Sequence, residues 1–268
     1  MSKRFIYLAT LLLCFGVSLN LQAQDEEASA ASLYNQGLEK AKAKEYVAAL
    51  DLLEKAIAKA DPENETDAKV IRLAKRNGTR AAYGAGNFHR KAKDMDSALK
   101  AYETGIEYNP EYYSNYVGKA QVLNAKADPA SVKFYLLASQ KAAAADKAER
   151  AEGYASKAQN IIAVSWGKKE WDKTIAYANS YLEEKETADV HYYLASSLKA
   201  KGDSEKALEH VAKSIELAGD ADASKFYMLK AETHEKLGQK SDAVAAYKMV
   251  KDAKYAERAK YKIGELGG

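Results

Sequence analysis

The side chains best suited to chemistry in this sequence are its four histidines, His89, His191, His210 and His234, since imidazole moves protons near neutral pH and binds metals. No two stand at i and i+4, the spacing that turns two rings of one helix toward a shared ion, so no metal centre is expected. Ser97-Ala98-Leu99-Lys100 and Ser196-Ser197-Leu198-Lys199 have the S-x-x-K spacing of an acylatable serine and its lysine. Neither S-D-N nor K-T-G occurs to complete that machinery. Gly84 and Gly86 begin a G-x-G, but His89 takes the place of the third glycine and the surrounding pattern is helical, which removes the strand that dinucleotide binding needs. The carboxylate neighbours Asp94 with Asp96, and Glu183 with Glu184, fall where turns or helix ends are expected and read as solvated charge. Asn64-Glu65-Thr66 and Asn77-Gly78-Thr79 match the glycosylation sequon. No catalytic set and no cofactor site emerge, and a non-enzymatic role is expected.

The elements that would carry these residues repeat. Residues 202–218, GDSEKALEHVAKSIELA, return in cadence at 238–254 as GQKSDAVAAYKMVKDAK. Ala207, Val211 and Ser214 share one helical face, as do Ala243, Tyr247 and Val250. The same spacing appears upstream at Ala49/Leu53/Ala56, Ala98/Tyr102/Gly105, Ala130/Phe134/Leu137 and, more loosely, Thr174/Ala178/Tyr181. Twelve residues before these six anchors stand Gly37, Gly86, Gly118, Ile162, Ala195 and Ala231. Small residues at that slot let two helices approach closely, and the interval leaves room for one turn. Turns are legible in AKAKEY (41–46), AKDMDS (92–97), KADP (126–129), GKKEW (167–171), KGDS (201–204) and LGQKS (237–241). At Asp128-Pro129 an N-cap is followed by a proline suited to a first helical turn. Pro62, Pro110 and Gly219-Asp220 lie where each second helix should stop.

These intervals, clearest in NFHRKAKDMDSALKAYETGIEYNP (87–110), resemble the tetratricopeptide repeat over residues 32–262. The resemblance implies an all-α, right-handed α-solenoid of about six helical hairpins. Uneven anchor intervals place the extra residues DAKVIRLAKRN (67–77) and DKAERAEGYASKAQ (146–159) in longer first helices of the second and fourth units. KYAERAKYKIGELGG (254–268) keeps Tyr255, Ala259, Ile263 and Leu266 at helical spacing amid charge, which suits a capping helix.

Stacked hairpins share a core and leave a groove lined by their first helices. Projecting the register onto those helices nominates Tyr34, Tyr83, Asn87, Arg90, Tyr112, Asn115, Tyr116, Lys119, Tyr192, Ser196 and Lys199 as partner-binding residues. Many of the 19 tyrosines are expected between helices, but those at 112, 113 and 116 cannot all share one narrow stripe. His89, His191 and His234 fall at ring-filled packing slots, and His210 is expected on an exposed face. Some relatives of the repeat clamp a partner's C-terminal carboxylate with paired Lys/Asn and Lys/Arg. Here Tyr83 with Asn87, then Tyr112 with Tyr116, stand in that region and do not make the clamp.

The 268 residues, 47% hydrophobic and 29% charged, suit a folded chain with a sizeable core. Lys3 and Arg4, an apolar run from Phe5 to Val17 and a polar end at Ala23 read as a signal peptide over residues 1–23, followed by a flexible stretch over 24–31. An uncleaved anchor is the other reading, although the run is shorter than the ~20 residues a span needs. Cleavage removes Cys14, the single cysteine, and lowers the formal charge from +3 to +1. A basic face for nucleic acid is therefore not expected. The sequence thus points to an exported, periplasmic scaffold with a repeat array over 32–253, a cap over 254–268 and a protein or peptide partner. A glycan- or peptidoglycan-binding envelope component is the alternative.

Overall fold

The structure, a computed structural model, describes residues 28–219 and 222–268, and the expected signal peptide lies outside them. All regular elements among the described residues are helices, paired in chain order into six hairpins. They are α1 (Ala30–Lys42) with α2 (Tyr46–Lys59), α3 (Glu65–Lys91) with α4 (Met95–Tyr108), and α5 (Tyr113–Ala125) with α6 (Ala130–Ala144). The other three are α7 (Ala148–Gly167) with α8 (Trp171–Leu182), α9 (Ala188–Lys201) with α10 (Ser204–Ala218), and α11 (Ser224–Lys236) with α12 (Lys240–Lys248). A last helix, α13 (Ala253–Leu266), caps the stack by laying Tyr255, Ile263 and Leu266 against Ala246 and Tyr247. Ser29 caps α1 by accepting from the Ser32 N–H, so this first helix starts at Ala30.

One piece of turn chemistry closes every hairpin. The third residue from the end of each first helix, or its neighbour, accepts a hydrogen bond across five residues, as in Glu45 N–H to Lys40 O (2.9 Å) and Asp94 N–H to His89 O (3.0 Å). The residue before that donor is left-handed in all six turns: Lys44, Lys93, Ala127, Lys169, Gly202 and Gly238. This paired closure satisfies the last helical carbonyls, but only two of the six positions carry glycine, the residue for which that conformation is free of strain. Side-chain caps then start the next helices: Asn64 accepts from Thr66 and Asp67 N–H, and Asp94 from Ser97 N–H.

The anchors at 49, 98, 174, 207 and 243 are all wholly buried. In the third hairpin the phase differs by one residue: Ser131, Tyr135 and Ala138 are buried, while Ala130, Phe134 and Leu137 are half-buried. Pro129 and the Asp128 carboxylate, which accepts from Ala130 N–H at 2.9 Å, add a residue ahead of the first packed turn. The small slots work as close approaches. A Cβ on Gly86 or Gly118 would stand 2.5 or 2.2 Å from the Tyr102 ring, so this tyrosine fills the space that both glycines leave. The longest helices are α3, with 27 residues, and α7, with 20, where the extra segments were expected.

Candidate binding groove

The 27 residues of α3 make it both a wall of the core and the floor of an open groove. On its packed side Gly78 meets Tyr108, and Asn115 Nδ2 donates to the Thr79 carbonyl (3.2 Å). On its other side Arg80, Tyr83, Gly84, Asn87, Phe88 and Lys91 recur at helical spacing and line a groove of about 780 Å³. The opposite wall comes from Leu38, Ala41 and Lys42 of α1 with Tyr46 of α2, and Tyr112 closes one side. Tyr46 can lie there because position 84 is glycine: a Cβ would come within 2.2 Å of its ring.

Aromatic surface continues away from the groove. Tyr83 meets Tyr112 edge-on at 6.3 Å, Tyr112 stacks with Tyr113 at 6.3 Å, and Tyr113 tilts against Tyr154 at 6.1 Å. Phe88, 62% exposed, is among the most exposed large apolar side chains described. Beneath it Asn87 Oδ1 accepts from both the Tyr102 hydroxyl (3.0 Å) and Arg90 Nη2 (3.3 Å). Burial pushes the Tyr102 hydroxyl pKa up, against the pull of Arg90. Arg90 Nε is buried without a hydrogen-bond partner.

The groove's charge has one sign. Lys42, Arg80 and Lys91 line it, and among the described residues no aspartate or glutamate does. Lys42 pairs with Glu39 (2.7 Å), whereas Arg80 and Lys91 form no ion pair among the described residues. The even charge balance of the whole sequence conceals this one-sided helix face.

Of the residues nominated from register, Tyr83, Asn87 and Tyr112 line the groove, and Arg90 supports it from behind. Asn115 and Tyr116 belong to the interior instead: Asn115 is wholly buried against Gly105, and Tyr116 packs on Phe134 at 6.4 Å. The cause is the start of α5 at Tyr113, which turns those two positions toward α3 and α6. Lys119 is occupied by Glu103 (2.7 Å) and lies over the Phe134 ring (4.2 Å). Tyr34 accepts from Asn77 Nδ2 (3.1 Å) between α1 and α3. Tyr192, Ser196 and Lys199 lie on α9, apart from the groove lining. Trp166 Nε1 donates to Ser196 Oγ (3.0 Å), Tyr192 packs on Trp166 at 5.7 Å with its hydroxyl pKa pushed up to about 12 by burial, and Lys199 holds Glu232 (2.5 Å). The register argument missed Arg80, Phe88 and Lys91, although Tyr83 and Asn87 already fixed the face on which all three stand.

The histidines hold one surprise. His210 is not on an open face but stacks on buried His191, with Nδ1 to Nδ1 at 3.1 Å, because position 210 lies one turn beyond the packed anchor Ala207. Among the described residues no three His, Cys, Asp or Glu side chains form a metal-binding group. His89 stands 3.5 Å from Asp94, and His234 Nδ1 is 2.6 Å from Gln239 Oε1.

Repeated helical hairpins with a shared core define an all-α solenoid. Residues 79–112, which span the end of α3 and all of α4, match the family model described as Tetratricopeptide repeat. No curated protein matches the chain. Solved structures similar to it include a thermophilic TPR protein of Thermus thermophilus, at 16% identity, covering 89% of this chain and 98% of that one with a TM-score of 0.32. A tetratricopeptide repeat protein from Parabacteroides merdae is 15% identical, covering 90% and 99%, with a TM-score of 0.35. The TPR2AB-domain:pHSP90 complex of yeast Sti1 is 14% identical, covering 89% and 98%, with a TM-score of 0.38. No described helix is long and apolar enough to cross a membrane.

Proposed function

We propose that this chain is a non-enzymatic scaffold that holds a protein or peptide partner in the groove between α1 and α3, and that it works after export, in the periplasm. The observation that carries the reading is the groove itself: an exposed Phe88 beside Tyr83 and Tyr112, on a helix fixed by packing on its other side. Rigid aromatic side chains give contact area with few rotors to freeze, which suits a peptide surface. The test is affinity capture by the full chain from envelope extracts, in parallel with Phe88→Ala and Tyr112→Ala. A stoichiometric protein recovered by the first and lost by both variants supports the reading, and retention by both variants removes the groove from it. Export is checked by sequencing the N-terminus of the protein purified from its host, where a start at Gln24 is expected.

A second reading, direct binding of a cell-wall glycan, draws on Trp166 with Tyr192 and Tyr193, whose rings lie 5.7 and 5.1 Å from the indole. Sedimentation of the purified protein with wall material alone, abolished by Trp166→Ala, would favour it over the groove.

A further inference from the structure

Lys69, Arg76, Arg80, Asn87 and Lys91 follow one another on α3 at intervals of 7, 4, 7 and 4 residues, which keeps them on one face of the helix. From Lys69 to Lys91 that face runs about 33 Å at the helical rise per residue. Lys69, Arg76, Arg80 and Lys91 are exposed, and none forms an ion pair among the described residues, whereas lysines on neighbouring helices commonly do, as Lys119 does with Glu103 and Lys141 with Glu111. Arg76 and Arg80 stand four residues apart, a spacing at which like charges repel and cost helix stability. Apolar groups interrupt the cations: Phe88 lies between Arg80 and Lys91, with Leu38 and Ala41 facing them across the groove.

We propose that this track selects an extended acidic peptide segment and reads its side-chain carboxylates rather than its C-terminus. The inference rests on the groove reading above and adds the chemistry of the partner. Charge complementarity supplies the first argument, because four cations along one face meet no acidic partner among the described residues. The apolar interruptions supply the second: a peptide presents carboxylates and aliphatic side chains together, whereas a phosphate polymer has no apolar group to set against Phe88 and Leu38. An extended peptide of about ten residues matches the length of the track.

The experiment is fluorescence anisotropy of the full chain with a labelled peptide of about that length, rich in glutamate with two leucines, prepared with a free and with an amidated C-terminus. Both forms should bind equally, weaken at least about tenfold from low to high salt, and weaken at least about tenfold on R76E/R80E, with Arg80→Lys retaining most binding. Circular dichroism on each variant confirms that the helices persist. Equal binding by a serine-for-glutamate peptide that still depends on Phe88 would overturn the acidic preference and leave the groove reading standing. Binding by the free-acid form alone would overturn side-chain reading. Tighter binding of heparin than of the peptide would make the track a general polyanion site and overturn the proposal, and indifference to R76E/R80E would place the contact elsewhere. Failure of every peptide to bind would overturn both this inference and the groove on which it rests.

Discussion

At Tyr102 the ring occupies volume that two glycines on neighbouring helices leave free, and its hydroxyl reaches Asn87 behind the groove. Gly118→Ala should therefore cost about 1–3 kcal/mol through overpacking, seen as a lower urea midpoint. Gly153 gives the contrasting case, an exposed helical position where an added Cβ meets nothing within 4 Å. Gly153→Ala should raise stability by about 0.5–1 kcal/mol, since glycine pays extra backbone entropy inside a helix. The sequence made the small slots legible because close packing leaves few options for side-chain size. It did not reveal which face of α5 is buried, since Asn115 enters the interior through a single hydrogen bond to the Thr79 carbonyl rather than through hydrophobicity. Arg80 and Lys91 escaped notice for a related reason: an unpaired cation is defined by what does not surround it, which residue types alone do not tell.

The helical hairpin is the element in which turn strain and histidine chemistry have their effect. Lys44, Lys93 and Lys169 hold left-handed backbone at φ of 63, 64 and 60° without the help of glycine. Lys93→Gly should relieve strain of about 1–2 kcal/mol, partly offset by the greater freedom of glycine in the unfolded chain, and give a net rise in thermal midpoint. In the fifth hairpin, burial holds the pKa values of His191 and His210 below the ordinary histidine value, with mutual repulsion adding to the effect on His191. Glu186, Glu216 and Lys213 face His191, and Glu209 faces His210. The folded state binds protons less readily here than the unfolded chain does, so the stability of neutral rings is complete above about pH 6.5. It is lost as pH falls from there through the lower folded-state values. Urea midpoints between pH 7.5 and 5 should drop, and His210→Gln should flatten that dependence. Hairpin boundaries were legible because turns and N-caps have distinct residue types. The one-residue shift in the third hairpin was not, since Asp128-Pro129 allows helix entry at either of two phases.

For the whole molecule, stability is shared between neighbouring hairpins, and each end needs a cover. Among the described residues α13 covers Ala246 and Tyr247. Removing residues 253–268 should lower the thermal midpoint and increase binding of a hydrophobic dye. Hydrogen exchange should quicken in α11 and α12 while amides of α3 and α4 remain protected. The stack as a whole was readable from the sequence because its period depends on packing that must recur. The groove was readable only in part, since binding chemistry does not repeat from unit to unit. Polar bonds also join α3 to three other helices, through Asn77 to Tyr34, Asn87 to Tyr102 and Thr79 to Asn115. Pulled from its two ends in an optical trap, the protein should peel from the C-terminal side in small steps and yield last, and at the highest force, where this long helix rivets its neighbours together.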